Sequence, residues 1–346
     1  MSRLLGYSLI SGLLLASAWP VNGITPLIFV SLIPLLFVED IISNDNLGKK
    51  NLRLFFYSYV AFLTWNIATT WWIVYTTLPG AIFANVANSS FYSIIFLLYS
   101  RVKRKIDFKA GILFLITFWI SFEKFHLNWE FSWPWLNLGN VFSERIDWIQ
   151  WYEYTGVFGG SLWVLCANFL IFTLLRKYSS FKDKRRFYIR IIPRILLISF
   201  PIFVSLLVKP KIDKGEEFKV LITQPKIDPW EAKYGNSKSN QDYFKIFKDL
   251  TNEELSTNEY DFVFTSETYF SEGYGENVDY FGYTKLHDSL NDYLSKFNNT
   301  NLISGIQFYK LYQNQKEKPT KSANPVRDNI WVDYFNSSIN MSANKD

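Results

Sequence analysis

The chain has 346 residues, 36 Lys/Arg against 31 Asp/Glu, one cysteine and an aromatic fraction of 19%. Its basic excess is local: residues 1–210 hold 20 Lys/Arg and 10 Asp/Glu, whereas residues 211–346 hold 16 and 21. That division gives no support for nucleic-acid binding, and a single cysteine excludes an internal disulfide framework.

Seven apolar stretches come first: Leu4–Trp19, Ile24–Val38, Leu54–Tyr75, Ala81–Ser100, Ala110–Leu127, Val157–Leu175 and Ile191–Val208. Several approach the roughly 20 apolar residues that a membrane-spanning helix needs. The second is short and contains Pro26 and Pro34, and Pro20-Val21-Asn22-Gly23 can join it to the first as a hairpin. Arg3, the first apolar run and Ala16-Ser17-Ala18 also fit a signal peptide; the six further stretches favour a retained helix. Basic residues fall on alternate connections. Arg3 precedes the first span, and Lys49, Lys50 and Arg53 follow the second. Five lie between Arg101 and Lys109, and seven between Arg176 and Arg190, whereas the intervening connections hold Lys124 and Arg145. The positive-inside rule then predicts a cytoplasmic N-terminus and, after seven crossings, a tail outside the cytoplasm.

The connection between Leu127 and Val157 differs from the others. It reads Asn128-Trp-Glu-Phe-Ser-Trp-Pro-Trp-Leu-Asn-Leu-Gly139, then Gln150-Trp-Tyr-Glu-Tyr-Thr-Gly156, with Gly159 and Gly160 following. Tryptophans at this position serve as interfacial anchors; they also fit an amphipathic lip through which lipid chains enter a site. The glycines fit a close turn or tight helix packing.

Beyond Lys209-Pro210 the pattern changes to short alternating runs. Strands are predicted at Phe218–Thr223, Tyr260–Thr265 and Asn301–Phe308, with a fourth beginning at Asp328–Tyr334; helices are predicted at Ser239–Leu255 and Leu286–Phe297. Strands alternating with helices indicate an α/β layer fold. Glu267 follows the second strand, at the C-terminal strand end where α/β folds present ligand-contacting groups. A carboxylate held there in apolar surroundings can act as a general base; a helix cap is the plainer alternative. Among the histidines, His126 reads as interfacial and His287 as surface-lying. No His/Cys/Asp/Glu group has metal spacing, and no cofactor is indicated.

The order of Gln224-Pro-Lys-Ile-Asp-Pro229, Ser266-Glu267-Thr268, Ser304-Gly305 and Asp333-Tyr-Phe-Asn336-Ser337 resembles the opening of a nitrilase-type domain. Seven spans in front resemble bacterial apolipoprotein N-acyltransferases, as do Thr70-Trp71-Trp72, Trp133-Pro-Trp-Leu-Asn-Leu-Gly139 and Gln150…Thr155-Gly-Val-Phe-Gly159. The resemblance implies a multi-span α-helical membrane domain over residues 1–210. Residues 211–346 would form the first part of a nitrilase-like α-β-β-α sandwich of the carbon–nitrogen hydrolase type. It also implies an enzyme of the bacterial inner membrane with this domain on the periplasmic side. That enzyme takes an acyl chain from a phospholipid and passes it to the α-amino group of a lipoprotein's diacylglyceryl-cysteine. The family works through Glu, Lys and Cys: the Glu activates the thiol, the Lys helps stabilise the oxyanion, and a thioester is then aminolysed. By this resemblance Glu267 is the general base.

The departure is equally specific. The family's Lys and Cys lie beyond the segment that Tyr334–Ser337 resembles, and an eighth span follows, so the sequence reads as truncated within the nitrilase-like domain and inactive alone. Cys166 lies inside the sixth span, where a thiol is a small packing residue rather than a nucleophile. Lys310, Lys316, Lys318, Lys321 and Lys345 read as loop charges. Two other readings stay open: a degenerate paralogue that binds lipid or lipoprotein without turnover, and a membrane-anchored amide hydrolase. An incomplete sandwich should leave strand edges and apolar faces uncovered, so regular structure is expected to fade after about Leu311.

Overall fold

A computed structural model of the chain describes residues 2–177, 184–208, 215–227, 238–297 and 300–342. The chain divides into two compact units, Met1–Lys211 and Ile212–Asp346. The first is helical: α1 (Ser2–Ala18), α2 (Ile33–Asn44), α3 (Lys50–Thr70), α4 (Leu78–Lys105), α5 (Phe108–His126), α6 (Tyr152–Arg176) and α7 (Lys184–Val208). Each predicted apolar stretch therefore contains a helix. Thr25–Asn44, Leu78–Lys105, Tyr152–Arg176 and Ile189–Val208 are by themselves long and apolar enough to cross a membrane. The other three are shorter or more polar: α1 has 17 residues, and α5 carries Lys109, Glu123 and Lys124.

In this unit α1 packs on α3, α3 on α4 and α4 on α5, while α6 meets α2, α5 and the short turn Leu138–Phe142. Phe62, Trp65, Tyr92, Phe96 and Trp119 fill the space between α3, α4 and α5, with the Tyr92 and Trp119 rings 4.7 Å apart. Buried hydroxyls and amides do not break the helices because they bond to their own backbone one turn back. Ser58, Asn66, Ser89 and Ser93 each donate to the carbonyl four residues earlier, which satisfies these donors within their own helices in an apolar interior.

The second helix differs from expectation. Its two prolines sit at helix starts, Pro26 in the 3-10 turn Thr25–Phe29 and Pro34 in the first turn of α2, where a missing N–H costs nothing. The helix then runs past Val38 through Glu39 and Asp40 to Asn44, because both carboxylates find cations. Lys103 Nζ lies 2.6 Å from Glu39 and 3.0 Å from Asp40. Arg176 pairs with Asp40 at 3.1 Å. Just beyond the helix, the guanidinium of Arg53 pairs with Asp45 at 2.7 Å and holds that carboxyl below the usual carboxylate range.

The second unit is α/β. A six-stranded mixed sheet runs in the order β1 (Val220–Ile222), β2 (Phe262–Phe264), β4 (Asn301–Gln313), β6 (Ile330–Ser342) and β5 (Asn324–Arg327). The short β3 (Glu276–Asn277) lies parallel to the far end of β4. Helix α8 (Asn240–Thr257) connects β1 to β2, and α9 (Lys285–Leu294) precedes β4, so β1, β2 and β4 run parallel. Ser239 and Asp242 form a capping box at the start of α8, satisfying N–H groups that the first helical turn leaves open. Both helices cover one sheet face, where Tyr243, Phe247, Leu290 and Tyr293 pack against Val263, Leu302, Ile306 and Phe308. The opposite face keeps Val220 and Ile222 of β1 exposed.

The expected loss of structure after Leu311 is overturned. β4 continues to Gln313 and pairs with β6 over its whole length, from Asn301↔Ser342 to Gln313↔Ile330. An antiparallel neighbour satisfies the backbone of β4 locally, without a second sheet. The 314–323 loop is tied down by Asp333, which accepts from Thr320 Oγ1 at 2.6 Å while Thr320 accepts from the Ala323 amide. The Thr320 hydrogen bond holds the Asp333 carboxyl below its ordinary range.

Candidate functional site

Glu267 owes its position to one glycine. β2 ends with the Thr265 amide bonded to the Ile303 carbonyl, and the chain rejoins β4 where Phe270 N–H donates to Gly305. Between those bonds Ser266, Glu267 and Thr268 arch across the β4 backbone. A Cβ on Gly305 would lie 2.4 Å from the Ser266 carbonyl oxygen and 2.5 Å from the Thr268 nitrogen. No other residue fits beneath the arch. Thr268 takes a left-handed φ of 47° to complete it, and the buried Tyr269 and Phe270 anchor its far side in the core.

The arch crosses the sheet face opposite the two helices. There the Glu267 carboxylate accepts a short hydrogen bond from the Asn336 side-chain amide of β6. Expected apolar surroundings are not found: Glu267 and Asn336 are both exposed within this unit, because no second layer of the unit lies over that face among the described residues. Further along the same face, Tyr274, Tyr309, Leu311, Val326, Val332 and Tyr334 line a cavity of about 480 Å³. The Tyr274 and Tyr334 rings lie 5.8 Å apart. Chemically, the arrangement offers a solvent-reachable carboxylate, held in one orientation by an amide and beside an aromatic cleft.

The lysines lie elsewhere. Lys310 sits on β4 rather than in a loop, 3.2 Å from Asp279. Lys316, Lys318 and Lys321 are exposed on the 314–323 loop. Among the described residues no ion pair joins Glu267 to a lysine. Gln224 to Ile227 follow β1 as expected, whereas Asp228, Pro229 and Lys345 lie outside the described residues.

In the helical unit, the 127–157 connection folds onto the ends of α4, α5 and α6. Trp135 meets Trp72 edge-on at 5.3 Å, joining the Thr70-Trp71-Trp72 segment to the Trp133–Gly139 segment. His126 is buried rather than interfacial. Its Nε2 bonds Asn88 at 2.7 Å, and its Nδ1 accepts from Trp129 at 2.7 Å. The glycines do as expected: Gly156 turns the start of α6 with φ 64°, and Gly160 packs directly on Gly139. Cys166 borders an apolar groove between α6 and α7 with Trp163, Leu170 and Pro201.

Comparison with known proteins converges on this architecture. Residues 11–170 match the family model for the apolipoprotein N-acyltransferase N-terminal domain. Two curated relatives, both apolipoprotein N-acyltransferases, are similar over most of the chain. The one from Chlorobaculum tepidum is 27% identical over 241 residues, 67% of this chain and 44% of the relative. The one from Geobacter metallireducens is 26% identical over 235 residues, 64% of this chain and 43% of the relative. These matches support an apolipoprotein N-acyltransferase family member.

The matched segment spans less than half the length of either relative. Within the family match lie the second half of α1, all of α2 to α5, most of α6 and the whole tryptophan-rich connection, so this membrane part carries the family's sequence character. One residue of that part escaped the reading of the sequence: Glu123, a fully buried carboxylate on α5. Its signal was available, because an ionisable residue inside an apolar span marks a functional position by default. Among the described residues, no group of three or more His, Cys, Asp and Glu could hold a metal.

Proposed function

We propose that the chain carries the membrane part and the base-bearing strands of an apolipoprotein N-acyltransferase. The reaction moves an acyl chain from a phospholipid to the α-amino group of a lipoprotein's N-terminal diacylglyceryl-cysteine. Glu267 serves as the general base that takes the proton from the attacking thiol, and the acyl group passes through a thioester. The Gly305-dependent arch that presents Glu267 to Asn336 carries this reading, since it holds a carboxylate at a strand end with one oxygen bonded to an amide. A nitrilase-like sandwich is the fold in which this sheet would work. On this reading the unit stands on the periplasmic side of the inner membrane, an orientation that the alternation of basic connections supports. Labelling with a membrane-impermeant maleimide reads this orientation: Ser266→Cys in a Cys166→Ala background should react in intact spheroplasts, and protection until lysis would reverse the topology.

Within these 346 residues the proposed base is Glu267. Their one thiol, Cys166, lies within α6, so a second reading, lipid or lipoprotein binding without turnover, fits the polypeptide when it acts by itself. The purified 346-residue protein, incubated with phospholipid vesicles, is expected to form no hydroxylamine-labile acyl adduct. An acyl thioester on Cys166 would overturn the assignment of that residue to packing.

A further inference from the structure

Glu123 has no part in the chemistry above, yet it is fully buried and accepts three hydrogen bonds. Its Oε1 accepts from Trp119 Nε1 at 3.0 Å and from the Leu138 amide at 2.8 Å. Its Oε2 accepts from Ser161 Oγ at 2.6 Å, and that hydroxyl in turn accepts from the Gly139 amide at 3.0 Å. Two consecutive backbone N–H groups of the connection thus end on a carboxylate from α5 and a hydroxyl from α6. Tyr152, at the start of α6, closes the other side by donating to the Gly139 carbonyl at 2.9 Å. The fit is tight, since a Cβ on Gly160 would lie 2.9 Å from the Gly139 Cα and one on Gly139 would lie 2.0 Å from the Val157 carbonyl oxygen.

We propose that Glu123 is a positioning residue that latches the Trp133–Gly139 segment between α5 and α6. The chemistry selects a carboxylate. Three donors of different kinds converge on it, an indole N–H, a backbone N–H and a hydroxyl, and an ionised carboxylate accepts all three without presenting a donor of its own. Glutamine would keep one acceptor oxygen for Trp119 and Leu138 but would turn an NH₂ toward Ser161. Alanine would leave the Leu138 amide, buried with its residue, with no partner, which is the expensive way to lose a hydrogen bond. What the latch fixes is the placement of Trp133 and Trp135. Trp133 borders a cavity of about 300 Å³ shared with Phe83, Phe91, His126 and Trp129, and Trp135 rests on Trp72. Insofar as this segment is the lip that receives phospholipid, a role that rests on the function proposed above, the latch sets the depth at which its tryptophans meet the acyl chains.

The test uses the full chain in detergent and in phosphatidylcholine vesicles. Hydrogen exchange at the Leu138 and Gly139 amides should accelerate at least tenfold in Glu123→Ala, with α1 to α4 unchanged. Ser161→Ala should accelerate Gly139 but not Leu138, and Glu123→Gln should restore Leu138 toward the parent rate. In vesicles of acyl-brominated phosphatidylcholine, tryptophan quenching should change in Glu123→Ala and return toward the parent value in Glu123→Gln. Unchanged exchange at both amides, or a rise spread evenly over all helices, would overturn the latch. Faster exchange at both amides with unchanged quenching would uphold the latch and overturn the lipid-facing role of the segment.

Discussion

Replacing Lys103 with alanine is expected to destabilise the helical unit by about 3–5 kcal/mol, the range seen when one partner of a buried ion pair is removed. Lys103 sits 2.6 Å from Glu39 and 3.0 Å from Asp40, with its side chain 9% exposed and that of Glu39 fully buried. Ser100 and Ser43 donate to the remaining Glu39 oxygen at 2.7 and 2.6 Å. Asp40 keeps a second cation in Arg176, but Glu39 does not. Removing Lys103 therefore strands one buried carboxylate, and two neutral donors do not replace a cation. Tryptophan emission during denaturant unfolding in micelles measures the effect. Pairing Lys103→Met with Glu39→Gln should recover most of the loss, because the stranded charge rather than the missing attraction is the main cost. A Lys103→Ala protein within about 0.5 kcal/mol of the parent, the scatter of ordinary surface substitutions, would show that Glu39 is not held as described.

Much of this molecule was legible in its residues, and the failures share a physical cause. Apolar run length located a helix in each of seven places, and the alternating runs Phe218–Thr223, Tyr260–Thr265 and Asn301–Phe308 each contain a strand. Strand and helix ends were missed where the deciding partner lies far along the chain. α2 passes through Glu39 and Asp40 because cations more than 60 residues away neutralise them. β4 runs five residues past Phe308 because β6 returns beside it, a pairing that hydropathy alone does not report. Glu267 was singled out from its strand-end position, but its surroundings were not legible: it stands exposed beside Asn336 rather than in an apolar pocket. Gly305 and Asn336 drew notice only through family resemblance, and their roles under and beside the arch follow from strand register. Glu123 went unread because its four linked donors, Trp119, Leu138, Gly139 and Ser161, come from three separate elements.

The largest expected effect on activity is that of Glu267→Gln. Glutamine keeps the length of the side chain and an oxygen that can still accept from Asn336, so the arch over Gly305 should survive the change. What it loses is basicity, and losing a positioned general base costs about 10²- to 10⁴-fold in rate. An effect of that size with the fold intact separates a base from a cap or a surface charge. The measurement fuses residues 1–342 to a C-terminal portion of an apolipoprotein N-acyltransferase chosen to carry the thiol that the proposed route requires. N-acylation of a diacylglyceryl-lipoprotein is then assayed for the parent chimera and for Glu267→Gln. An active parent with Glu267→Gln reduced by about 10²- to 10⁴-fold is the predicted result; equal activity of the two chimeras would contradict the assignment of Glu267 as the base.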